Sequence, residues 1–87
     1  MIIGEQQRNA FANQVFRVTE ATAYQMGRDC RAIGYALTSN TFSKVAWDNV
    51  VRNVGRSLAP KYPEWARWAA MWSKGWLDEN AARETAR

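Results

Sequence analysis

The chain has 87 residues, of which 47% are hydrophobic and 23% are charged. A chain this short supports one hydrophobic core, so we expect a single domain over residues 1–87. The apolar content, which includes five Trp, excludes an intrinsically disordered chain. Nine Arg and three Lys against eight acidic residues give a net charge of +4 and a pI near 9.7. This bias towards Arg favours an acidic partner, either a nucleic acid or an acidic protein surface.

The residue inventory argues against catalysis. The chain has no His, so it lacks the usual general base near neutral pH and the usual imidazole metal ligand. Cys30 is the single cysteine, and neither a zinc-ligand spacing nor a phosphate-binding glycine loop is present. We therefore expect a non-enzymatic protein without a metal or cofactor.

Cysteine usage and hydropathy bear on the compartment. A lone cysteine forms no intrachain disulfide and is typical of a reducing cytoplasm. No apolar run approaches the roughly 20 residues of a membrane span, and the N-terminal Met1-Ile2-Ile3-Gly4 is too short for the core of a signal peptide. We expect a cytoplasmic protein that does not contact a membrane.

Polar and proline-containing breakers divide the chain into three segments with helical periodicity. We predict an all-α, compact three-helix domain with helices at about 5–37, 41–59 and 63–85, where Pro63 starts the third helix. Gly27 and Gly34 interrupt the first segment, so either the helix breaks near one of them or another backbone packs closely there. We favour a break.

Each predicted helix has one apolar face. The core face of the first comprises Phe11, Val15, Val18, Thr22, Met26, Cys30, Ile33 and Leu37. That of the second comprises Trp47, Val50, Val51, Val54 and Leu58. The third has a stripe of Trp65, Trp68, Trp72 and Trp76, which could anchor a partner but more simply fills the core of a small domain. Trp65 or Trp76, near the ends of the stripe, are the expected exposed exceptions.

The candidate binding surface lies on the opposite face of the first helix, where basic and aromatic residues alternate within a narrow arc. This surface consists of Arg17, Tyr24, Arg28, Arg31 and Tyr35. Guanidinium groups contact phosphates and tyrosines stack on exposed bases, so the pattern suits RNA. It suits an acidic protein surface equally well, and it is also compatible with a solvated face whose Tyr rings pack under Arg stems. Arg52 and Arg56 on the second helix form a second basic patch.

Three short stretches are similar to the ribosome modulation factor family and its small phage and plasmid relatives. They are residues 27–34 (GRDCRAIG), 40–42 (NTF) and 72–76 (WSKGW). The family has Pro-Tyr where this chain has Thr41 and Phe42, and the whole predicted second helix extends the spacing between Phe42 and Trp72. The resemblance implies a short, basic, helical, regulatory protein that binds the ribosome or RNA, with glycines that allow close helix packing.

The leading functional expectation is therefore a small regulatory protein that binds RNA or a ribonucleoprotein. The alternative is an inhibitor or adaptor from a phage or mobile element that docks on a host protein complex and blocks its nucleic-acid-binding surface. A third possibility is a self-assembly module that buries surplus Trp area between copies. The sequence leaves the partner and the oligomeric state open.

Overall fold

The computed structural model describes residues 18–85, which form three α-helices and one short 3₁₀ turn. The helices are α1 (Glu20–Ala32), α2 (Lys44–Val54) and α3 (Tyr62–Thr85), and the 3₁₀ turn, Leu37–Ser39, lies between α1 and α2. No strand occurs between residues 18 and 85. The prediction of an all-α domain with three helices is confirmed.

The first helix is shorter than the predicted 5–37. Thr19 is in an extended conformation and its hydroxyl accepts a hydrogen bond from the Thr22 backbone N–H at 3.1 Å, so it caps a helix that begins at Glu20. At the other end the helix stops at Ala32, two residues before Gly34 adopts a φ of +97°. The expected break therefore occurs at Gly34, as the end of the helix. Residues 5–17 of the predicted helix lie outside the described residues.

The second helix is also shorter than predicted, whereas the third agrees. The Ser43 hydroxyl accepts a hydrogen bond from the Ala46 N–H at 3.1 Å and caps α2. The helix ends at Val54, and Gly55 follows it with a φ of +84°. Leu58, predicted on the core face of this helix, lies beyond its end and is exposed. Helix α3 begins one residue before the predicted start, so Pro63 is its second residue.

Three tryptophans of α3 form the centre of the core. Trp65, Trp68 and Trp72 are at most 3% exposed, and Trp76 is half-buried. The interpretation of the stripe as core is confirmed for the first three. Of the two expected exposed exceptions, Trp65 is buried and Trp76 is half-buried. The indole N–H of Trp65 donates to the Ser43 carbonyl at 3.0 Å, which lets this large apolar ring be buried with its polar atom satisfied.

The connection between α1 and α2 and the inner face of α2 cover this tryptophan row. Phe42 is 4% exposed and contacts Trp65 and Trp68 edge-on, with centroid separations of 5.2 and 5.8 Å. Val50 and Val54 of α2 complete the cluster. Asn40 holds the connection in place, because its amide donates to the Ala69 carbonyl at 2.9 Å and to Ser73 Oγ at 3.1 Å. Its side-chain oxygen also accepts from the Phe42 N–H at 2.8 Å.

Helices α1 and α3 touch through their backbones at two glycines. A Cβ atom at Gly27 would overlap the backbone carbonyl of Trp72, and one at Gly75 would overlap the carbonyl of Tyr24. The backbones therefore approach more closely than any residue with a side chain allows. The helix does not break at Gly27. The other reading of this glycine, close packing of a second backbone, is the one that the structure bears out.

This contact sets which face of α1 is buried, and it differs from the predicted face. Ala23 and Gly27 are buried, while Met26 and Cys30 are half-buried at the margin of the core. Of the remaining residues predicted on this face, Val18 packs partly against the core, whereas Thr22, Ile33 and Leu37 are exposed. Phe11 and Val15 lie outside the described residues. The buried face of α1 is thus rotated, relative to the prediction, towards the Arg/Tyr surface that the sequence assigned to a binding partner.

In the part of the chain that the structure describes, every helix is too short or too polar to cross a lipid bilayer.

Candidate nucleic-acid interface

Most of the predicted Arg/Tyr surface of α1 faces α3. The Tyr24 hydroxyl donates to Asp78 Oδ2 at 2.5 Å. Arg28 donates to Glu79 Oε1 through Nε and Nη2, at 3.2 and 3.1 Å. The prediction that these side chains lie opposite the packed face of α1 was wrong, because close approach at Gly27 turns them onto the neighbouring helix.

Arg31, the next member of that surface, also contacts α3. Its Nε donates to Asn80 Oδ1 at 2.9 Å, and its guanidinium carbon lies 5.5 Å from the centroid of the Trp76 ring. A guanidinium in this position gains from the negative face of the ring. Arg31 therefore fixes the end of α1 against α3, although its side chain has no carboxylate partner among residues 18–85.

The hydrogen bonds between the two helices shift the ionisation of the groups that form them. Donation by Tyr24 and by Lys74 lowers the pKa of Asp78 below its ordinary value of 3.8, since both bonds favour the carboxylate. The same bond to Asp78 raises the pKa of Tyr24 above 10.0. The bond to Glu79 raises the pKa of Arg28. At neutral pH the network therefore consists of a carboxylate, a neutral phenol and a guanidinium, and it holds α1 to α3.

The last two residues of the predicted surface do not join this network. Tyr35 follows the end of α1 and its side chain is 51% exposed, while its backbone carbonyl accepts from the Trp76 indole N–H at 2.7 Å. Arg17 lies outside the described residues. The five residues predicted to form one surface are therefore divided between a helix–helix contact and an exposed connection.

The second predicted patch, Arg52 and Arg56, is exposed, and an exposed lysine, Lys61, follows it in the chain. Arg52 near the end of α2, Arg56 just after it and Lys61 just before α3 are all exposed. None of the three forms an ion pair within residues 18–85. We call these three residues the basic corner. No acidic residue occurs between Asp48 and Glu64, and Asp48, one turn before Arg52, bonds to Lys44.

An aromatic pair joins α2 to the start of α3. Tyr62 is 41% exposed, and its ring meets the Trp47 ring edge-on, with centroids 5.3 Å apart and planes inclined by 71°. The Trp47 indole N–H donates to the Pro60 carbonyl at 2.9 Å, which ties α2 to the segment that carries Lys61. Tyr62 is not among the site residues predicted from the sequence. The signal that could have found it is its position directly after a lysine in a segment without acids.

The stretches that carry the resemblance described above lie against one another. Gly27 contacts the backbone of Trp72, and Asn40 bonds to Ser73 inside the third stretch. Of the glycines in these stretches, Gly27 and Gly75 allow close helix packing as expected, whereas Gly34 has open space around it and serves a positive φ instead. The three stretches therefore form one structural joint.

No family model, curated protein or solved structure matches this chain.

The described residues contain no cluster of three or more His, Cys, Asp or Glu side chains that could hold a metal ion. Cys30 is half-buried and packs against the hydrophobic core, where a thiol acts as a small apolar residue. What the described surface does offer is charge and exposed aromatic area. These features suit binding.

Proposed function

We propose that this chain is a non-enzymatic, regulatory binding protein that contacts RNA, free or within a ribonucleoprotein, through the basic corner. The observation that carries the proposal is the set of three exposed cations, Arg52, Arg56 and Lys61, in a segment without acids. Phosphate contacts by Lys and Arg provide most of the affinity of non-specific RNA binding. The planar guanidinium of Arg in particular can donate two parallel hydrogen bonds to phosphate oxygens.

The contrast with four other cations supports this choice of surface, although Arg31 and Arg67 also form no ion pair within residues 18–85. Lys44, Lys74 and Arg83 each pair with a carboxylate one turn away, and Arg28 pairs with Glu79. A cation that already has a carboxylate partner must give up or share that partner to bind a phosphate. Within residues 18–85 the cations of the basic corner have no such competitor, so they are the groups we expect to contact phosphates.

The resemblance to the ribosome modulation factor family also favours RNA as the partner. It is carried by residues 27–34, 40–42 and 72–76, which lie against one another, and it implies ribosome or RNA binding. The basic corner lies on α2 and the connection that follows it, which is the part of the chain that the resemblance does not cover. If the three stretches are related to that family, the RNA contacts made by the basic corner would still be specific to this chain.

The test is the salt dependence of RNA affinity, measured by fluorescence anisotropy with a labelled single-stranded RNA. The variant is Arg52→Gln/Arg56→Gln. Its matched control is Lys74→Gln/Arg83→Gln, which lowers the net charge equally but removes cations that have carboxylate partners. For single strands, each lost phosphate contact flattens the slope of log K against log salt by about 0.7.

The proposal predicts a flattening of about 1.4 for the first variant, equal to two lost contacts, and little change for the control. Equal loss in both variants would show a dependence on net charge alone and would contradict the assignment of the site. Absence of RNA binding by the unmodified chain at low salt would contradict the proposed function itself.

The second candidate function is a protein-directed inhibitor or adaptor, of the kind that a phage or mobile element directs at a host complex. A specific observation favours it: Ile33, Tyr35 and Leu37 are 71%, 51% and 38% exposed and follow one another along the connection after α1. Exposed apolar patches mark protein contacts. This function predicts a partner that survives nuclease treatment and is lost with Ile33→Asp/Leu37→Asp but retained with Arg52→Gln/Arg56→Gln.

A further inference from the structure

Tyr62 stands out among the described tyrosines because it is exposed and directly follows Lys61, a cation with no ion-pair partner among residues 18–85. Tyr24 is engaged with Asp78. Tyr35 is exposed, but it lies in a segment, residues 32–43, that has no charged residue. Tyr62 directly follows Lys61 and precedes Pro63, so an exposed ring and the basic corner share one short stretch of chain.

The Tyr62 ring is held in position by its neighbours. It packs edge-on against Trp47, and the Lys44 ammonium lies 5.4 Å from the Tyr62 centroid and 4.8 Å from the Trp47 centroid. Lys44 is in turn bonded to Asp48 at 2.9 Å. A ring whose rotamer is already restricted loses little entropy when a ligand stacks on it. The exposed part of Tyr62 is therefore an apolar surface that is pre-organised for stacking.

We propose that the basic corner recognises single-stranded RNA, with one base stacked on Tyr62 while Arg52, Arg56 and Lys61 contact the neighbouring phosphates. This inference rests on the proposed function and narrows it to one class of RNA. A base can stack on a tyrosine only where the RNA is single-stranded. In a duplex the bases are paired, so only the phosphates can contact the basic corner. The basic corner alone would bind single-stranded and duplex RNA, and stacking on Tyr62 would make the affinity for single-stranded RNA higher.

The first experiment compares a short labelled oligouridine with an RNA duplex of the same length at low salt. Stacking of one base on an aromatic ring contributes about 1–3 kcal/mol, so Tyr62→Leu is expected to weaken oligouridine binding by about 5- to 150-fold. Tyr62→Phe keeps the ring and is expected to bind like the unmodified chain. Tyr35→Leu is the matched control, because it removes an exposed tyrosine away from the basic corner. Duplex affinity should be the same in all three variants.

The outcomes separate the two proposals. If Tyr62→Leu binds oligouridine as tightly as Tyr35→Leu while Arg52→Gln/Arg56→Gln still binds weakly, stacking is refuted and the proposed function stands. Equal weakening of duplex and oligouridine by Tyr62→Leu would also refute stacking. If the unmodified chain binds neither RNA, both proposals fail, and a partner that survives nuclease treatment would then assign the surface to protein recognition.

A second experiment uses the unmodified chain and so does not depend on how a variant folds. Oligouridine that carries 5-iodouridine is photocrosslinked to the protein, and the modified residue is located by mass spectrometry. Photocrosslinking joins the base to an aromatic ring that it contacts. An adduct on Tyr62 is the expected result, and adducts confined to other residues would refute the proposal.

Discussion

The backbone contact between α1 and α3 predicts that alanine is destabilising at two helical glycines where helix propensity alone would favour it. Replacing a helical glycine by alanine normally stabilises a helix by about 1 kcal/mol. At Gly27 and Gly75 the added Cβ would overlap a backbone carbonyl of the other helix, and neither backbone can move aside as a flexible side chain could. Overpacking of a well-packed contact costs about 3 kcal/mol at the upper end of its usual range.

The difference is a net loss of about 2 kcal/mol for Gly27→Ala or Gly75→Ala. In a domain of this size, that loss lowers the melting temperature by about 8–16 °C. The assay is thermal unfolding followed by circular dichroism, with Ala70→Leu on the exposed side of α3 as the control. An exposed substitution of this kind changes stability by less than about 0.5 kcal/mol. A melting temperature that stayed the same or rose in both glycine variants would show that the two backbones do not touch.

The remaining predictions concern pH and capping. Hydrogen bonds to Asp78 lower its pKa in the folded protein, so their contribution to stability is present above the ordinary carboxyl pKa and is lost as pH falls through the folded value. Denaturant unfolding should therefore show that Tyr24→Phe is less stable than the unmodified chain at pH 7, and that this difference shrinks on acidification below about pH 4; a constant difference would contradict the hydrogen bond. Thr19→Ala and Ser43→Ala each remove a helix cap and should lower the unfolding free energy by about 1 kcal/mol, whereas no loss in either would contradict the assigned ends of α1 and α2.

The parts of the fold that could be predicted from sequence are those set by local signals. Pro63 and the preceding Pro60 mark the start of α3, and the tryptophan spacing marks its buried face. The ends of α1 and α2 were overestimated, because apolar periodicity continues through Ile33 and Leu58 although glycines at positive φ end the helices nearby. Periodicity shows which side chains share one face of a helix, but it carries little information about the residue at which the helix ends.

The predicted orientation of the Arg/Tyr surface was wrong for a different reason. The apolar periodicity of α1 assigns its large side chains to the core face, but the residues that α3 approaches most closely are small. Ala23 and Gly27 are both buried, and the Trp72 backbone packs on Gly27, which brings Tyr24 and Arg28 into contact with α3. Glycine in a helix is compatible with both a break and a close approach, so sequence alone could not decide between them. The basic patch at Arg52 and Arg56 depends only on local exposure, and the structure keeps it exposed.

The most direct test of the central claim is to map the RNA contact on the unmodified protein by NMR. Isotope-labelled protein is titrated with a short oligouridine at low salt, and the shift of each backbone amide is followed. The account predicts that the largest shifts occur between residues 49 and 62, around the basic corner and Tyr62, with small shifts at Tyr24 and Arg28. Largest shifts along α1 or between Ile33 and Leu37, or no shifts at all, would contradict it.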